Sequence, residues 1–310
     1  MFTKATRSQM SYKSPPKPCP ICNTDQVSHE RTLNDTELLK CSSCGLVYAN
    51  LSDQRIMEFN SGYDEELTAM YEEQQSFIDT MWFRRIVKKL TKMVGRGRVL
   101  DVGCGNGILL KHFLDAGWSA CGVDLSPWAQ KFAQEHGYEL YSRELEKCEL
   151  PDSSFDAVTI TSTLEHIPRP YQHIKEIMRV LRPGGIAYFA GIPNYGSLSV
   201  RLNFTSFHNN MPPYHVNYFT RKCARDLFSR PEIAAYIKKL SITSYGIPEM
   251  YRIHNLVRRS SGSTSRESDA EQKPKSLPRR ALASAMVATY YNLGKLFYLG
   301  DKLEITAIRR

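Results

Sequence analysis

The chain has no uninterrupted apolar run of membrane-spanning length, and its first 18 residues are polar and basic. A transmembrane helix or a secretory leader would need a continuous apolar stretch, so neither is expected. Cysteine is too sparse for a disulfide scaffold: there are eight in 310 residues. Four form two C-x-x-C pairs, and Cys104, Cys121, Cys148 and Cys223 are scattered. Disulfide frameworks belong to small secreted domains, so a reducing, cytoplasmic setting is expected. There is no internal repeat, which argues against a solenoid.

Acids are missing from residues 1–18, where Lys4, Arg7, Lys13 and Lys17 stand unopposed. Residues 258–280 carry seven bases against Glu267, Asp269 and Glu271. Nearly all of the net charge of +9 lies in these two segments, and the remainder is close to neutral. A basic groove for nucleic acid is not indicated. Peripheral contact with anionic lipid or a polyanion through the two segments stays open.

A hydrophobic content of 42% is enough for a substantial core. The pattern divides the chain into a basic, disordered N-terminus (1–18), a cysteine module (19–50), a helical lid or linker (51–96) and a large domain (97–310). Residues 258–279, rich in Ser and charge, read as a disordered insertion in that domain. Helical spacing is expected from Thr220 to Leu240 and again from about Arg280 to Leu299. A strand is expected near Ser241 to Tyr245, and the alternation from Leu303 to Ile308 reads as a last strand.

The most informative segment, Val99 to Leu110, reads V-L-D-V-G-C-G-N-G-I-L-L. A short apolar strand runs into Gly103, Gly105 and Gly107, and a helical pattern follows. Strand, glycine turn and helix start form a nucleotide-binding hairpin, because the turn needs positive φ and the ligand must approach the backbone. The spacing is not the dinucleotide G-x-G-x-x-G, since Ile108 takes the third glycine's place. Asp101 lies two residues before the first glycine. A carboxylate there suits a cationic ligand better than a pyrophosphate. S-adenosylmethionine, with its ammonium and sulfonium, is such a ligand. A second strand ends at Asp124, 21 residues beyond Gly103, where an acid hydrogen-bonds ribose hydroxyls.

These residues resemble class I S-adenosylmethionine-dependent methyltransferases. The blocks are D-V-G-C-G-N-G at 101–107, G-V-D-L-S at 122–126, L-P-D-S-S-F-D at 150–156 and L-R-P-G-G at 181–185. The resemblance implies an α/β, Rossmann-like seven-stranded sheet with helices on both faces, completed by an antiparallel last strand. It places Asp101, Gly103, Cys104, Gly105, Gly107, Asp124 and Leu125 at the donor. Glu146, four residues before the L-P of the third block, matches the acid that reads the adenine amino group. Cys148 stands where an acid is frequent in that pattern, and a solvated loop carboxylate is the alternative for Glu146.

Cys19-x-x-Cys22 and Cys41-x-x-Cys44 are separated by 18 residues, a spacing that fits one tetrahedral zinc ion. Four cysteine ligands close the coordination sphere, so the ion is read as structural, with Gly45 easing the second turn. The module is net acidic, which favours a folding or substrate-gating role over nucleic-acid docking. An N-terminal zinc ribbon on such a core is similar to a bacterial group that methylates small metabolites and surface sugars.

The acceptor side is sought at the end of the strand Phe155 to Thr161. The following residues, S-T-L-E-H-I, resemble the E-x-x-E-H motif of ubiquinone-biosynthesis O-methyltransferases, in which acids and histidine hold a divalent metal. Ser162 replaces the first acid, which argues against that metal here. Glu165 and His166 remain candidates for orienting the acceptor or taking its proton, with a turn-capping role as the alternative. His215, in P-P-Y-H-V-N-Y-F-T, is the second histidine candidate, with pinning of its loop by hydrogen bonds as the alternative to facing the acceptor, and Thr220 reads as an N-cap. The expected function is methyl transfer from S-adenosylmethionine to a small-molecule or sugar acceptor, at oxygen because two histidines are available as bases. The alternatives are a nucleic-acid or protein methyltransferase docking through the ribbon and basic segments, and a non-catalytic donor-binding scaffold.

Overall fold

The structure is a computed structural model that describes residues 15–61, 77–201, 212–246 and 300–310. Residues 1–14, the 258–279 insertion and the helix expected over 280–299 lie outside the described residues. Two sheets organise the rest. The large one holds β4 (Arg98–Val102), β5 (Ser119–Val123), β6 (Glu139–Tyr141), β7 (Phe155–Thr161), β8 (Leu181–Pro193), β10 (Ile237–Tyr245) and β11 (Lys302–Arg309) in the order β10-β11-β8-β7-β4-β5-β6. β4, β5, β6, β7 and β8 run parallel, and β11 inserts antiparallel between β8 and β10. This is the expected seven-stranded arrangement with a reversed last strand.

The central strands are apolar because both of their faces are covered. Val99, Leu100, Ala157, Val158, Ala187 and Phe189 have no solvent exposure. One cover is α5 (Pro170–Val180), whose Ile174, Ile177 and Met178 are buried at helical spacing behind a proline in the first turn. The Arg182-Pro-Gly-Gly turn appears as an excursion within β8. Leu181 pairs with Phe155, and the ladder resumes at Ile186 opposite Ala157.

Helices α1 (Asp53–Ser61) and α2 (Phe77–Val94) occupy the expected helical region; α3 (Ile108–Asp115) and α4 (Pro127–His136) follow β4 and β5. Helical structure beyond Thr220 is shorter than its spacing suggested. It comprises α7 (Arg221–Phe228) and α8 (Pro231–Ala234), after the single turn α6 (Leu198–Arg201), and β10 already begins at Ile237. Pairing with β11 prevails over helical spacing there, as tertiary context often does. None of the described helices is long and apolar enough to cross a membrane.

The second sheet is built by the cysteine module with one strand from the large domain. Its order is β1 (Val27–Leu33), β2 (Thr36–Cys41), β3 (Val47–Ala49) and β9 (Asn217–Tyr218). Its side chains do not form a separate core. Cys19, Leu39, Cys44, Leu46 and Tyr48 belong to the same buried cluster as Phe189, Ala224, Leu227 and Phe228. The basic N-terminal segment was expected to be unstructured through residue 18. Lys17 is instead tied down: its ammonium meets Asp53 at 2.5 Å, its N–H donates to Asn50 Oδ1 at 2.9 Å, and its carbonyl accepts from Tyr48.

Candidate active site

The glycine loop sits at the C-terminal tips of β4 and β5. The Gly103 and Cys104 N–H groups donate to the Val123 carbonyl, and Gly105 N–H donates to Asp124 Oδ2 at 2.9 Å. Asp124 Oδ1 accepts from the Ser126 N–H and hydroxyl. That carboxylate therefore stitches the loop to the end of β5. Gly107 has φ +67°, and a Cβ there would lie 2.4 Å from the Tyr138 hydroxyl, so no other residue fits. Cys104 is buried and its sulfur packs over Gly122. Only its backbone is left to face a ligand. Leu125 is half-buried beside Asp124.

Asp101 is buried, with 1% exposure, and accepts a hydrogen bond from the Thr159 hydroxyl at 2.7 Å. Burial raises its carboxyl to about 7; the Thr159 bond pulls the other way and the Asp124 charge adds to the rise. A buried acid poised near neutrality lacks a counter-cation, and a cationic ligand supplies one. S-adenosylmethionine fits on a second observation. The Trp128 indole N–H is buried without a partner among the described residues, and its ring lies 3.1 Å from where a Cβ of Gly105 would stand. Trp128 and Tyr138 were not singled out from the sequence. An aromatic residue two positions after D-L-S is the only hint it offers.

Glu146 is held from the side of α5. It lies on the short 3₁₀ turn Leu145–Lys147, and its Oε1 accepts from the buried His173 Nδ1 at 3.0 Å. Burial works against its ionisation, but the His173 bond holds its carboxyl below the usual range. One carboxylate oxygen is thus committed to α5.

The acceptor-side candidates converge. Glu165 and His166 occupy the 3₁₀ turn Leu164–His166 directly beyond β7, and ligand atoms of Glu165, His166 and His215 lie within 4.8 Å of one another. The two imidazole rings meet edge to face with centroids 4.9 Å apart. His166 Nδ1–H donates to the Tyr214 carbonyl at 2.8 Å, which leaves Nε2 with its lone pair. Burial, with the neighbouring His215 adding to it, lowers His166 to about 3, so this ring is neutral at pH 7. Burial raises Glu165 to about 7, the nearby Lys302 opposing, and its Oε2 has no hydrogen-bond partner among the described residues. The Ser162 hydroxyl is turned toward Gly191. A serine thus takes the place of the first acid of the E-x-x-E-H motif, while Glu165, His166 and His215 form a group of the kind that could hold a metal ion. Helix α1 roofs the cluster: Asn60 donates to the His166 carbonyl at 2.9 Å and Phe59 packs edge-on to Tyr214.

The four thiols of the N-terminal module form a tight group. Sulfur–sulfur distances are 3.6 Å for Cys19–Cys44, 3.4 Å for Cys22–Cys41 and 3.8 Å for Cys22–Cys44. A zinc tetrahedron with bonds of about 2.3 Å has edges of about 3.8 Å, so the group fits the ion with little adjustment. The bond between Cys19 and Cys44 holds the Cys44 thiol down and, together with burial, holds Cys19 up. Gly45, at φ +75°, closes the second knuckle as expected.

The seven-stranded sheet and its glycine loop are similar to those of S-adenosylmethionine-dependent methyltransferases. Residues 100–189 match the family model described as a methyltransferase domain. The ubiquinone biosynthesis O-methyltransferase of Paracidovorax citrulli is 36% identical over 111 residues, which are 33% of this chain and 46% of that protein. The namesake from Methylococcus capsulatus is 34% identical over 113 residues, 34% of this chain and 47% of that protein. The chain thus spans about half the length of the curated relatives it matches. A solved S-adenosylmethionine-dependent methyltransferase from Archaeoglobus fulgidus superposes with a TM-score of 0.50 at 16% identity, over 79% of this chain and all of that one; it bears on the fold alone.

Proposed function

We propose that this chain transfers a methyl group from S-adenosylmethionine to a hydroxyl of a small-molecule or sugar acceptor. The observation that carries the proposal is the meeting of two sets of residues at one end of the sheet. The buried Asp101 stands in β4, the loop clamped by Asp124 lies at the tips of β4 and β5, and Glu165, His166 and His215 gather beyond β7. The bound donor supplies an activated methyl on a sulfonium, so the protein's main task is alignment. Gly103, Cys104, Gly105 and Gly107 present backbone to the donor, Asp124 takes the ribose, Asp101 balances positive charge, and Leu125 packs by the adenine. Glu146 reaches the adenine with the oxygen that His173 leaves free.

An alcohol keeps its proton at neutral pH, so its oxygen needs a base. His166 has the lone pair but a low proton affinity, so it orients the acceptor. His215, on the opposing loop, takes the proton. Glu165 fixes the turn that carries His166 and balances charge there. The ubiquinone O-methyltransferase names of the relatives support oxygen as the methylated atom, and the cytoplasm as the setting follows from the thiol content.

The test is to incubate the protein with trideuteromethyl-labelled donor and a metabolite extract, then search for products heavier by the labelled methyl. His215→Ala is expected to lower turnover ~10²–10⁴-fold with donor affinity little changed, and His166→Ala to raise the acceptor KM more than it lowers kcat. Full turnover by both variants would point to an acceptor that needs no base, and O-methylation would fall.

A further inference from the structure

The cysteine module is joined to the acceptor side through one short segment. Residues 216–218 have the module on one edge and the turn of Glu165 and His166 on the other. On the module side, Val47 pairs with Tyr218 and Tyr48 with Asn217, and Ala49 N–H donates to the Val216 carbonyl at 2.9 Å. On the turn side, Val216 N–H donates to the Glu165 carbonyl at 2.9 Å, and the Asn217 amide donates to the Ile167 carbonyl at 2.6 Å. His215 is the residue just before this segment. A backbone path therefore runs from Cys41 and Cys44, through β2 and β3, to all three acceptor-side candidates.

At the other end, Thr220 caps α7 by accepting from the Cys223 N–H at 3.1 Å, which fixes the first turn of that helix. The Cys223 side chain is fully buried in the same cluster as Cys19, Cys41 and Cys44. Residues 215–223 are thus tied to the module by the strand pair and by this shared burial. The glycine loop is held otherwise, by Val123 and Asp124.

We infer that the metal-loaded module is a clamp on the acceptor half of the site: its ion sets the position of His215, Glu165 and His166 through residues 216–223 and leaves the donor half unaffected. Cys223 belongs to this clamp through packing, since its side chain is buried with those of Cys19, Cys41 and Cys44. The catalytic consequence rests on the function proposed above; the mechanical link does not.

The test is hydrogen exchange of the full chain, zinc-loaded and after chelation, with calorimetry of S-adenosylhomocysteine on the same samples. Removing zinc is expected to speed exchange of residues 47–49 and 216–223 by ~100-fold or more, as for a locally opened unit. Strands β4 and β5 should keep their protection, and donor-product affinity should stay within about threefold. Unchanged protection of 216–223 in the metal-free protein overturns the inference. So does loss of protection throughout β4 and β5, which would make the ion a requirement for the whole fold. If the local pattern appears while His215→Ala retains full methyl transfer, the clamp stands and the role given to His215 falls.

Discussion

At the scale of single residues, Asp101 is the most informative group. Its position two residues before the first glycine was legible in the sequence, and its burial was not. Burial follows from strand pairing with β5 and β7 on either side and from the Thr159 hydroxyl above it. The consequence is a proton linkage. In the free protein this carboxyl sits at about 7, above its usual value of 3.8. A cationic donor favours the carboxylate, so binding at pH 6 should release most of one proton, and affinity should rise with pH and level off above about 7. Calorimetry in two buffers of different ionisation enthalpy measures the release, and Asp101→Asn should abolish it. Equal heats in both buffers would mean that Asp101 does not meet the positive charge.

Other residues were legible only as types. Glu165, His166 and His215 could be named from their places in the chain, but their mutual approach depends on a 49-residue separation closed by the fold. Glu146 shows the limit of alignment. The pattern located its turn, while the hydrogen bond from His173 on α5 decides where one of its oxygens points.

At the scale of elements, turn and cap chemistry was the most reliable guide. The glycine turn, the second cysteine knuckle and the Thr220 cap all fall where their residue types demand. Thr220→Ala should cost about 1 kcal/mol in denaturant unfolding, and Thr220→Ser much less. An alanine variant as stable as the parent would mean that the cap bond contributes nothing. Periodicity was weaker where two patterns overlap. Tyr236, Ile237 and Leu240 satisfy helical spacing from Ile233, yet Ile237 to Tyr245 is a strand because β11 is available to pair with it. Nothing local in the sequence announces that partner, which lies some 60 residues further on. Strand β9 is similar. Two residues carry no strand pattern, and their pairing with β3 is a property of the assembled molecule.

At the scale of the whole molecule, the boundary drawn after residue 50 is a boundary of motif and not of packing. The module's Leu39, Leu46 and Tyr48 are buried in the core that holds Phe189 and Phe228, while Leu38, Val47 and Ala49 pack with Val216 and Tyr218. Deleting residues 1–50 should therefore expose a large apolar surface and yield an aggregating or poorly soluble protein, read by size-exclusion chromatography. A monodisperse, stable truncation would instead establish two independent domains.

The donor site carries the account as a whole, and calorimetry of donor binding tests it most directly. S-adenosylmethionine and S-adenosylhomocysteine should both bind the full chain. Asp124→Ala should weaken both by about 10- to 100-fold, as expected for loss of hydrogen bonds to a charged group. NADH should not compete. Failure of the folded protein to bind either compound, or equal binding of NADH, would contradict the assignment of this glycine loop to a methyl donor.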